Sequence, residues 1–333
     1  MSRFIDGYDA AFFDLDGVLY RGPGAIPGAV AGVGRLHAGG LRTMYVTNNA
    51  ARSTQTVADH LTRLGFDASE PDVVSSAQAM AALLRERLPQ EAKVLVLGTR
   101  NLLDHVVDAG MVPVEGFRDR PAAVVQGYDP AMSWPRLDQG AFAIQHGARW
   151  FVTNTDSTRP EADGIVPGAG TQVNAIRAAV AEGPDAIVGK PYSPLITEAL
   201  RRSGAHRPVF VGDRIDTDIM GAHAAGIDSF LVFTGASGAQ DLLTAPEGGR
   251  PTAIGWNVES LFEPARVAST EQGVARCGAA RAWLEAAGTV VLDAPTDTVE
   301  EQLDALWALA VTVWQGETGP LDDLVGRFTL LPA

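Results

Sequence analysis

The sequence predicts a doubly wound α/β fold built around a parallel sheet. Short apolar runs without alternation, such as Ala10–Phe13, are typical of strands that are buried on both faces. These runs alternate with helical segments along the chain, and polar or acidic residues follow directly after several of them. At about 150 residues per domain, the 333 residues of the chain correspond to two domains or slightly more.

The first two strand and helix pairs set this pattern. We predict a strand, a helix, a strand and a helix, in this order, at 10–13, 27–37, 41–46 and 53–64. Gly39 and Gly40 form a plausible C-cap pair for the first helix, and Ser53 can cap the second.

The alternation continues to residue 233. Further strands are predicted at 93–97, 122–126, 150–152, 208–211 and 228–233, and further helices at 101–109 and 134–146. The strand at 228–233 is expected to be the last strand of the main sheet.

From residue 240 the character of the chain changes, and the Pro- and Gly-rich stretch at 245–250 is predicted to be a surface loop. Beyond about residue 263 the pattern predicts a helix at 273–287, a strand at 289–292 and a helix at 298–314. Trp307 and Trp314 are seven residues apart, so they lie on one helical face and are predicted to be core residues. The segment is too short for a core of its own, and we expect it to dock on the rest of the chain.

Composition and charge exclude several classes of protein. The chain is 46% hydrophobic and 20% charged, which excludes disordered, collagenous and coiled-coil proteins. Its 26 Lys and Arg against 40 Asp and Glu give a net charge of −14, which argues against nucleic acid or an anionic membrane as a partner. Cys277 is the single cysteine, so no intrachain disulfide can form. With no apolar run near the roughly 18 residues of a membrane span, and no signal-peptide core, a cytoplasmic protein is expected.

Chemistry-bearing residues stand at four places where predicted strands end, which is where open α/β sheets bind their ligands. The four groups are Asp14-Leu15-Asp16-Gly17, Thr47-Asn48-Asn49, Gly189-Lys190-Pro191 and the acidic stretch Gly212-Asp213-Arg214-Ile215-Asp216-Thr217-Asp218.

Each group taken alone also has a structural interpretation. Asp14 and Asp16 could form a solvated turn. They could also belong to a calcium loop, but an EF-hand would need an oxygen ligand at position 18, where Val18 stands. The residues at 47–49 could cap the following helix, Lys190 could lie in a surface loop, and the acids at 213–218 could complement a helix dipole.

Taken together, the four groups resemble the motifs of the haloacid dehalogenase-like (HAD) superfamily of aspartate phosphotransferases. Other segments resemble its C2-capped phosphatase subgroup, namely Gly98, Gly127-Tyr128-Asp129, Val152-Thr153-Asn154-Thr155-Asp156 and Pro167-Gly168-Ala169-Gly170. The resemblance covers roughly residues 8–235. It implies a Rossmann-like core formed by 1–75 and 184–262, with an inserted α/β C2 cap at 76–183. The pattern of helix, strand and helix predicts a small C-terminal α/β extension at 263–333 in addition.

The resemblance implies a magnesium-dependent phosphatase. Asp14 would be the nucleophile that forms an aspartyl-phosphate, and Asp16 would be the general acid and base. Mg²⁺ would be held by Asp14, the main-chain carbonyl of Asp16, and Asp213, while Asp218 would orient a metal-bound water or Lys190. The groups that would bind the phosphoryl group are Thr47, Asn48, Asn49 and Lys190, of which Thr47 and Lys190 act in catalysis. Candidates for contact with the rest of the substrate are Gly127, Tyr128 and Asp129, with Asn154 and Asp156 as weaker ones.

Elementary chemistry explains why such residues are needed. A phosphate monoester is a dianion, which a chain of charge −14 repels unless a metal ion and a lysine supply positive charge locally. The departing alkoxide needs a proton, which an acid at Asp16 can give. Dehalogenase members of the superfamily lack an acid at this place, so Asp16 favours phosphoryl transfer.

The expected substrate is a small phosphorylated metabolite, and the resemblance implies glycerol 3-phosphate. Phosphoglycolate, pyridoxal phosphate and nucleotides are alternatives on the same fold. An alternative of another class is a module that binds a phosphometabolite without turnover. The resemblance also implies a possible homodimer through the cap.

Overall fold

The structure is a computed structural model, and it describes residues 2–161, 163–285 and 288–331. In chain order its strands are β1 (Ala10–Phe13), β2 (Tyr20–Arg21), β3 (Gly24–Ala25), β4 (Arg42–Thr47), β5 (Val73–Ser75), β6 (Lys93–Leu97), β7 (Val112–Val114), β8 (Ala123–Gln126), β9 (Arg149–Val152), β10 (Thr158–Glu161), β11 (Gly164–Pro167), β12 (Ala186–Ile187), β13 (Pro208–Gly212), β14 (Asp228–Val232), β15 (Ala253–Gly255), β16 (Ser269–Glu271), β17 (Val274–Cys277), β18 (Ala280–Leu284) and β19 (Val290–Asp293). The α-helices are α1 (Ala29–Ala38), α2 (Thr54–Arg63), α3 (Ser76–Arg87), α4 (Arg100–Asp108), α5 (Trp134–Gln145), α6 (Ala169–Arg177), α7 (Pro194–Ser203), α8 (Met220–Ala224), α9 (Ala239–Leu243), α10 (Val299–Val313) and α11 (Asp322–Val325).

The chain divides into two compact units. The first consists of Met1–Thr43 and Ala205–Ala333, and the second is Met44–Gly204. The limits of core, cap and extension expected from the sequence, at 75/76, 183/184 and 262/263, stay predictions.

Parallel strands form the centre of the first unit, in the order β15-β14-β13-β1. In the register, Phe13 of β1 pairs with Val211 of β13, so these two strands end side by side. Every residue of β1 and of β13 is buried. The prediction of strands covered on both faces is therefore confirmed, and the α/β class with it.

β15 corrects one prediction, because the strand at 228–233 is not the last of its sheet. β15 pairs in parallel with β14, with Ala253 opposite Phe230. It contains three residues, all of them buried. Three residues are too few to show a periodicity in the sequence, so the pairing partner alone defines this strand.

The second unit contains a separate five-stranded parallel sheet, in the order β12-β9-β8-β6-β7. The predicted strands at 93–97, 122–126 and 150–152 are confirmed as β6, β8 and β9. Trp150 of β9 and Val173 and Ile176 of α6 belong to its hydrophobic core. In the same unit β4 pairs in parallel with β5, and β10 forms an antiparallel hairpin with β11.

The predicted helix at 273–287 is wrong, and residues 286 and 287 of that prediction lie outside the described residues. β17 and β18 form a hairpin there, within an antiparallel sheet of order β16-β17-β18-β19. The segment is rich in Ala and Arg, which favour helix, but its burial alternates with a period of two. Gly278, at φ 54, provides the left-handed residue of the two-residue turn. Burial of one face of the hairpin therefore overrides the intrinsic helix propensity.

The C-terminal segment shares a core with the parallel strands of its unit, as expected for a segment too short to fold alone. Leu303 and Leu306 of α10 belong to one cluster with Leu231 and Leu242. Trp307 is buried in this cluster, which confirms it as a core residue, whereas Trp314 is only partly buried and packs against the cluster. The two rings meet edge to face at 5.7 Å. Among the described residues, no helix is both long and apolar enough to cross a membrane.

Glu198 on α7 offers a test of stability in the second unit. Its side chain is 5% exposed and accepts hydrogen bonds from Arg201 and Arg202 at 2.7 and 2.8 Å. Burial alone would raise the pKa of Glu198, but the two arginines outweigh burial and lower it. A lowered pKa means that the ion pairs stabilise the fold above the carboxyl's unfolded pKa and are lost as pH falls through the folded value.

We therefore expect Glu198→Gln to lower the free energy of unfolding by about 1 kcal/mol at neutral pH. The difference in unfolding free energy from wild type should shrink in acid, where both chains are neutral at this position. Urea titrations at neutral and acid pH measure this difference. Equal stability of the two chains at neutral pH would contradict the expectation.

Candidate active site

Asp14 lies at the carboxyl end of β1. Its N–H donates to the carbonyl of Val211 on β13 at 2.9 Å, so the strand ladder fixes the backbone up to this residue. Asp14 is partly exposed, although the four residues before it are buried. The side chain of Asp16 is exposed. Both carboxylates can therefore meet a ligand that arrives from solvent.

β13 ends beside β1 and places Asp213 at the same edge, with its side chain almost fully buried. One π-helical turn, Ile215–Ile219, follows, and such turns occur often at functional sites. Asp218 Oδ2 accepts hydrogen bonds from the N–H groups of Asp213 and Arg214, both at 3.1 Å. Asp218 thereby fixes the backbone that carries Asp213.

Asp14, Asp213 and Asp218 form a compact group of carboxylates. Each offers one ligand oxygen, and these oxygens lie within 4.8 Å of one another, with Asp213 and Asp218 buried. Carboxylates this close repel one another, and a cation offsets the repulsion. Oxygen donors alone suit a hard cation such as Mg²⁺ or Ca²⁺. The structure thus brings together Asp14 and Asp213, the two predicted carboxylate ligands, and adds Asp218 to them; the main-chain role of Asp16 stays a prediction.

Two glycines let the backbone approach Asp213. A Cβ atom would lie 1.8 Å from Asp213 Oδ2 if added to Gly235, and 2.4 Å from it if added to Gly17. Next to Gly235, the N–H of Ala236 donates to the same oxygen at 2.7 Å. Gly17 lies within a motif that the sequence shows, whereas the turn at 234–236 has no motif of its own and could not be identified from the sequence.

In the second unit, Asn48 holds the backbone of Lys190. Asn48 Oδ1 accepts from the N–H of Lys190 at 2.8 Å, and Asn48 Nδ2 donates to the carbonyl of Lys190 at 3.1 Å. Lys190 is 2% exposed. A Cβ on Gly189 would lie 2.8 Å from Asn48 Oδ1, which explains a glycine before the lysine. The sequence alone predicts Asn48 as a phosphate donor and gives no local signal for its contacts with Lys190.

Asn154 and Asp156, the weaker candidates for substrate contact, are also partners of Asn48. Asn48 Nδ2 donates to both oxygens of Asp156, at 3.1 and 3.2 Å. The carbonyl of Asn48 accepts from Ser76 Oγ at 2.5 Å and from Asn154 Nδ2 at 2.8 Å. Together with Lys190, these three residues fix the position of Asn48, and all four are distant from it in sequence.

Thr47 and Asn49 shape the turn after β4. Thr47 Oγ1 accepts from the N–H of Asn49 at 3.1 Å, and Asn49 Oδ1 accepts from the N–H of Ala51 at 2.8 Å. The cap of α2 is Ser53, as predicted, with its Oγ 3.2 Å from the N–H of Thr56. Residues 47–49 therefore do not cap α2, and the contacts of Thr47 and Asn49 stay within their own turn. Binding of phosphate by Thr47 and Asn49 stays a prediction.

The three candidates for substrate contact in the predicted cap follow β8. Tyr128 accepts a hydrogen bond from Arg159 at 2.9 Å, and the guanidinium carbon lies 4.9 Å from the ring centroid. Asp129 donates its N–H to Gln172 Oε1 at 3.1 Å, and its carboxylate accepts from a backbone N–H two residues further on. A Cβ on Gly127 would lie 2.9 Å from a leucine side chain of α4. Sequence reasoning missed Arg159 and Gln172 because no local pattern connects them to 127–129.

Comparison with known proteins places this geometry in a family. A model described as haloacid dehalogenase-like hydrolase matches residues 11–112, and a second HAD-hydrolase-like model matches 187–261. The chain is 42% identical over 267 residues to a D-glycerol 3-phosphate phosphatase of Mycobacterium tuberculosis. This match covers 80% of this chain and 74% of that protein. The chain belongs to the haloacid dehalogenase-like hydrolase family. Another relative, a glycerol-3-phosphate phosphatase of Gallus gallus, is 35% identical over 271 residues, covering 74% of this chain and 86% of its own.

Solved structures of the haloacid dehalogenase-like family agree with this assignment. A crystal structure of a glycerol phosphate phosphatase from M. tuberculosis in complex with magnesium matches with a TM-score of 0.86 at 36% identity, over 99% of this chain and 100% of that one. A p-nitrophenyl phosphatase from Archaeoglobus fulgidus matches with a TM-score of 0.70 at 28% identity, over 77% of this chain and 98% of its own. The resemblance inferred from the four motifs is thereby confirmed at the level of family and fold.

Proposed function

We propose that the chain is a magnesium-dependent phosphomonoesterase that hydrolyses a small phosphorylated metabolite, with glycerol 3-phosphate as its substrate. The observation that carries the proposal is the group formed by Asp14, Asp213 and Asp218, whose ligand oxygens lie within 4.8 Å of one another. Two relatives, 42% and 35% identical to this chain, are named glycerol 3-phosphate phosphatases and support the choice of substrate.

Asp14 is the nucleophile in this mechanism. A carboxylate oxygen of Asp14 attacks phosphorus in line, and the bond from phosphorus to the alcohol oxygen breaks. Asp16 gives its proton to the departing oxygen, so glycerol leaves as a neutral alcohol. Asp16 then takes a proton from water as that water attacks phosphorus, which releases phosphate and restores Asp14.

The carboxylate group fits Mg²⁺ because it offers only hard oxygen donors. Asp14, Asp213 and the main-chain carbonyl of Asp16 would hold the ion, and Asp218 would keep the loop of Asp213 in place. When bound, Mg²⁺ neutralises charge on the phosphoryl oxygens, which a chain of charge −14 would otherwise repel.

We assign the phosphoryl oxygens to Thr47, Asn49, Lys190 and the backbone N–H of Asn48, which supply hydrogen bonds and positive charge. The side-chain amide of Asn48 is not one of these donors, because it binds the Lys190 carbonyl and the Asp156 carboxylate. Tyr128 and Asp129, together with Gly127, would contact the alcohol part of the substrate. The proposal also includes a homodimer through 76–183, which size-exclusion chromatography would test. It further includes a cytoplasmic location, which cell fractionation would test.

The test is phosphate release from a panel of phosphomonoesters, with and without EDTA. The panel contains glycerol 3-phosphate, phosphoglycolate, pyridoxal phosphate, nucleoside monophosphates and p-nitrophenyl phosphate. We expect the highest kcat/KM for glycerol 3-phosphate. Since the metal supplies several kcal/mol of charge stabilisation, EDTA should lower the rate at least about a hundredfold, and added Mg²⁺ should restore it.

Each component of the proposal has its own contradicting result. Full activity in EDTA would exclude the metal. A higher kcat/KM for another ester would replace the substrate but keep the reaction. Saturable binding of glycerol 3-phosphate with no phosphate release would instead support a module that binds without turnover.

A further inference from the structure

One surface arginine is connected to the carboxylate group through a short turn of backbone. Arg21 is the second residue of β2, in the hairpin that follows Asp14 and Asp16 along the chain. Its Nη2 donates to the carbonyl oxygens of Thr234 at 2.6 Å and Gly235 at 3.2 Å. Arg21 thus contacts the turn at 234–236, which lies next to Asp213 in space but not in sequence.

The same turn contacts Asp213 directly. The N–H of Ala236 donates to Asp213 Oδ2 at 2.7 Å, and the N–H of Ser237 donates to the carbonyl of Asp213 at 3.0 Å. The carbonyl of Gly235 and the N–H of Ala236 belong to one peptide group. Arg21 therefore binds one end of a peptide whose other end binds a carboxylate oxygen of Asp213.

A peptide bound at both ends is both oriented and polarised. The positive guanidinium withdraws electron density from the Gly235 carbonyl, which strengthens the N–H of Ala236 as a donor. A second bond holds the turn, because Thr234 Oγ1 donates to the carbonyl of Gly17 at 2.7 Å. Both bonds run from the segment that carries Asp14 to the turn that holds Asp213.

We propose that Arg21 is a positioning residue for the metal site, acting on Asp213 through the Gly235–Ala236 peptide. The inference rests on the proposed function, since it takes the group around Asp213 as the Mg²⁺ site. Arg21 places the Asp213 carboxylate before the ion arrives, so that less ordering remains for binding itself. Partners of metal ligands that act in this way typically change metal affinity by about 10- to 100-fold when they are removed.

The test measures Mg²⁺ binding by calorimetry, together with the thermal midpoint of each chain in EDTA. We expect Arg21→Ala to raise the Kd for Mg²⁺ about tenfold. Arg21→Lys keeps the charge and one donor group, so it should recover part of the affinity. Thr234→Val should weaken Mg²⁺ binding in the same direction. Saturating Mg²⁺ should restore most of the kcat of each variant, because the reacting groups are unchanged.

Arg276→Ala is the matched control, since it removes an exposed arginine from β17 in the same unit. Its Kd for Mg²⁺ should equal that of wild type. A lower thermal midpoint of Arg21→Ala in EDTA with an unchanged Kd would show a merely structural role and overturn the inference. If Arg21→Ala does not fold, Arg21→Met, which keeps an unbranched apolar stem but removes the charge and the donors, takes its place, and an unchanged Kd for Mg²⁺ in that variant overturns the inference equally.

Failure of the inference about Arg21 can be distinguished from failure of the proposed function. A wild-type chain that binds Mg²⁺ but releases no phosphate contradicts the proposed reaction, and the comparison of Arg21 variants still decides this inference. A wild-type chain that binds no Mg²⁺ contradicts both.

Discussion

Replacing Asp14 with asparagine is expected to lower kcat for glycerol 3-phosphate and p-nitrophenyl phosphate by at least about a thousandfold. An amide carries no negative charge and is a far weaker nucleophile toward phosphorus than a carboxylate. The substitution also removes one of the three carboxylates that the structure brings together. Initial rates at saturating Mg²⁺ measure the loss, since saturation separates the chemical step from metal affinity.

Asp297→Asn makes the same chemical change at an exposed position of the same unit and is the matched control. Its activity should equal that of wild type, because isolated surface substitutions have little effect. If Asp14→Asn kept activity within about tenfold of wild type, the assignment of Asp14 as the nucleophile would be wrong.

Gly235→Ala is expected to lower kcat/KM at least about a hundredfold at limiting Mg²⁺, because a displacement near 1 Å at a reacting site has an effect of that size. The new Cβ would stand 1.8 Å from Asp213 Oδ2, where real contacts essentially never fall below 3.0 Å. Either the carboxylate or the turn must therefore move. Activity as a function of Mg²⁺ concentration, together with direct Mg²⁺ titration, measures the effect.

Gly34→Ala provides the control for this substitution. Gly34 lies within α1, and a Cβ added to it meets no atom within 4 Å. Alanine should stabilise the helix by up to about 1 kcal/mol there and leave activity unchanged. Wild-type Mg²⁺ affinity in Gly235→Ala would contradict the close approach on which the prediction depends.

The carboxylate group could be predicted because local signals define both strands that carry it. Ala10–Phe13 and Pro208–Val211 are continuous apolar runs, and each is followed by an acid. Parallel strands bring their carboxyl ends to one edge, so Asp14 and Asp213 were expected to meet there. Family motifs supplied the roles, which the residues alone left open.

Features that depend on distant partners could not be predicted. Residues 273–285 have a helix-forming composition, and only burial against α10 selects a hairpin. The turn at 234–236 shows its use only in three dimensions, where Gly235 lies against Asp213. Asn48 looked like a phosphate donor, while its contacts with Lys190 join positions 142 residues apart in sequence.

The most direct test of the central claim is to trap the phosphorylated enzyme. The holoenzyme is mixed with substrate, quenched in acid within one turnover, digested with pepsin and analysed by mass spectrometry. We predict one phosphoryl group on the peptide that contains Asp14, and none in Asp14→Asn. Phosphate on a different residue, or turnover at the wild-type rate with no phosphorylated peptide at any quench time, would contradict it.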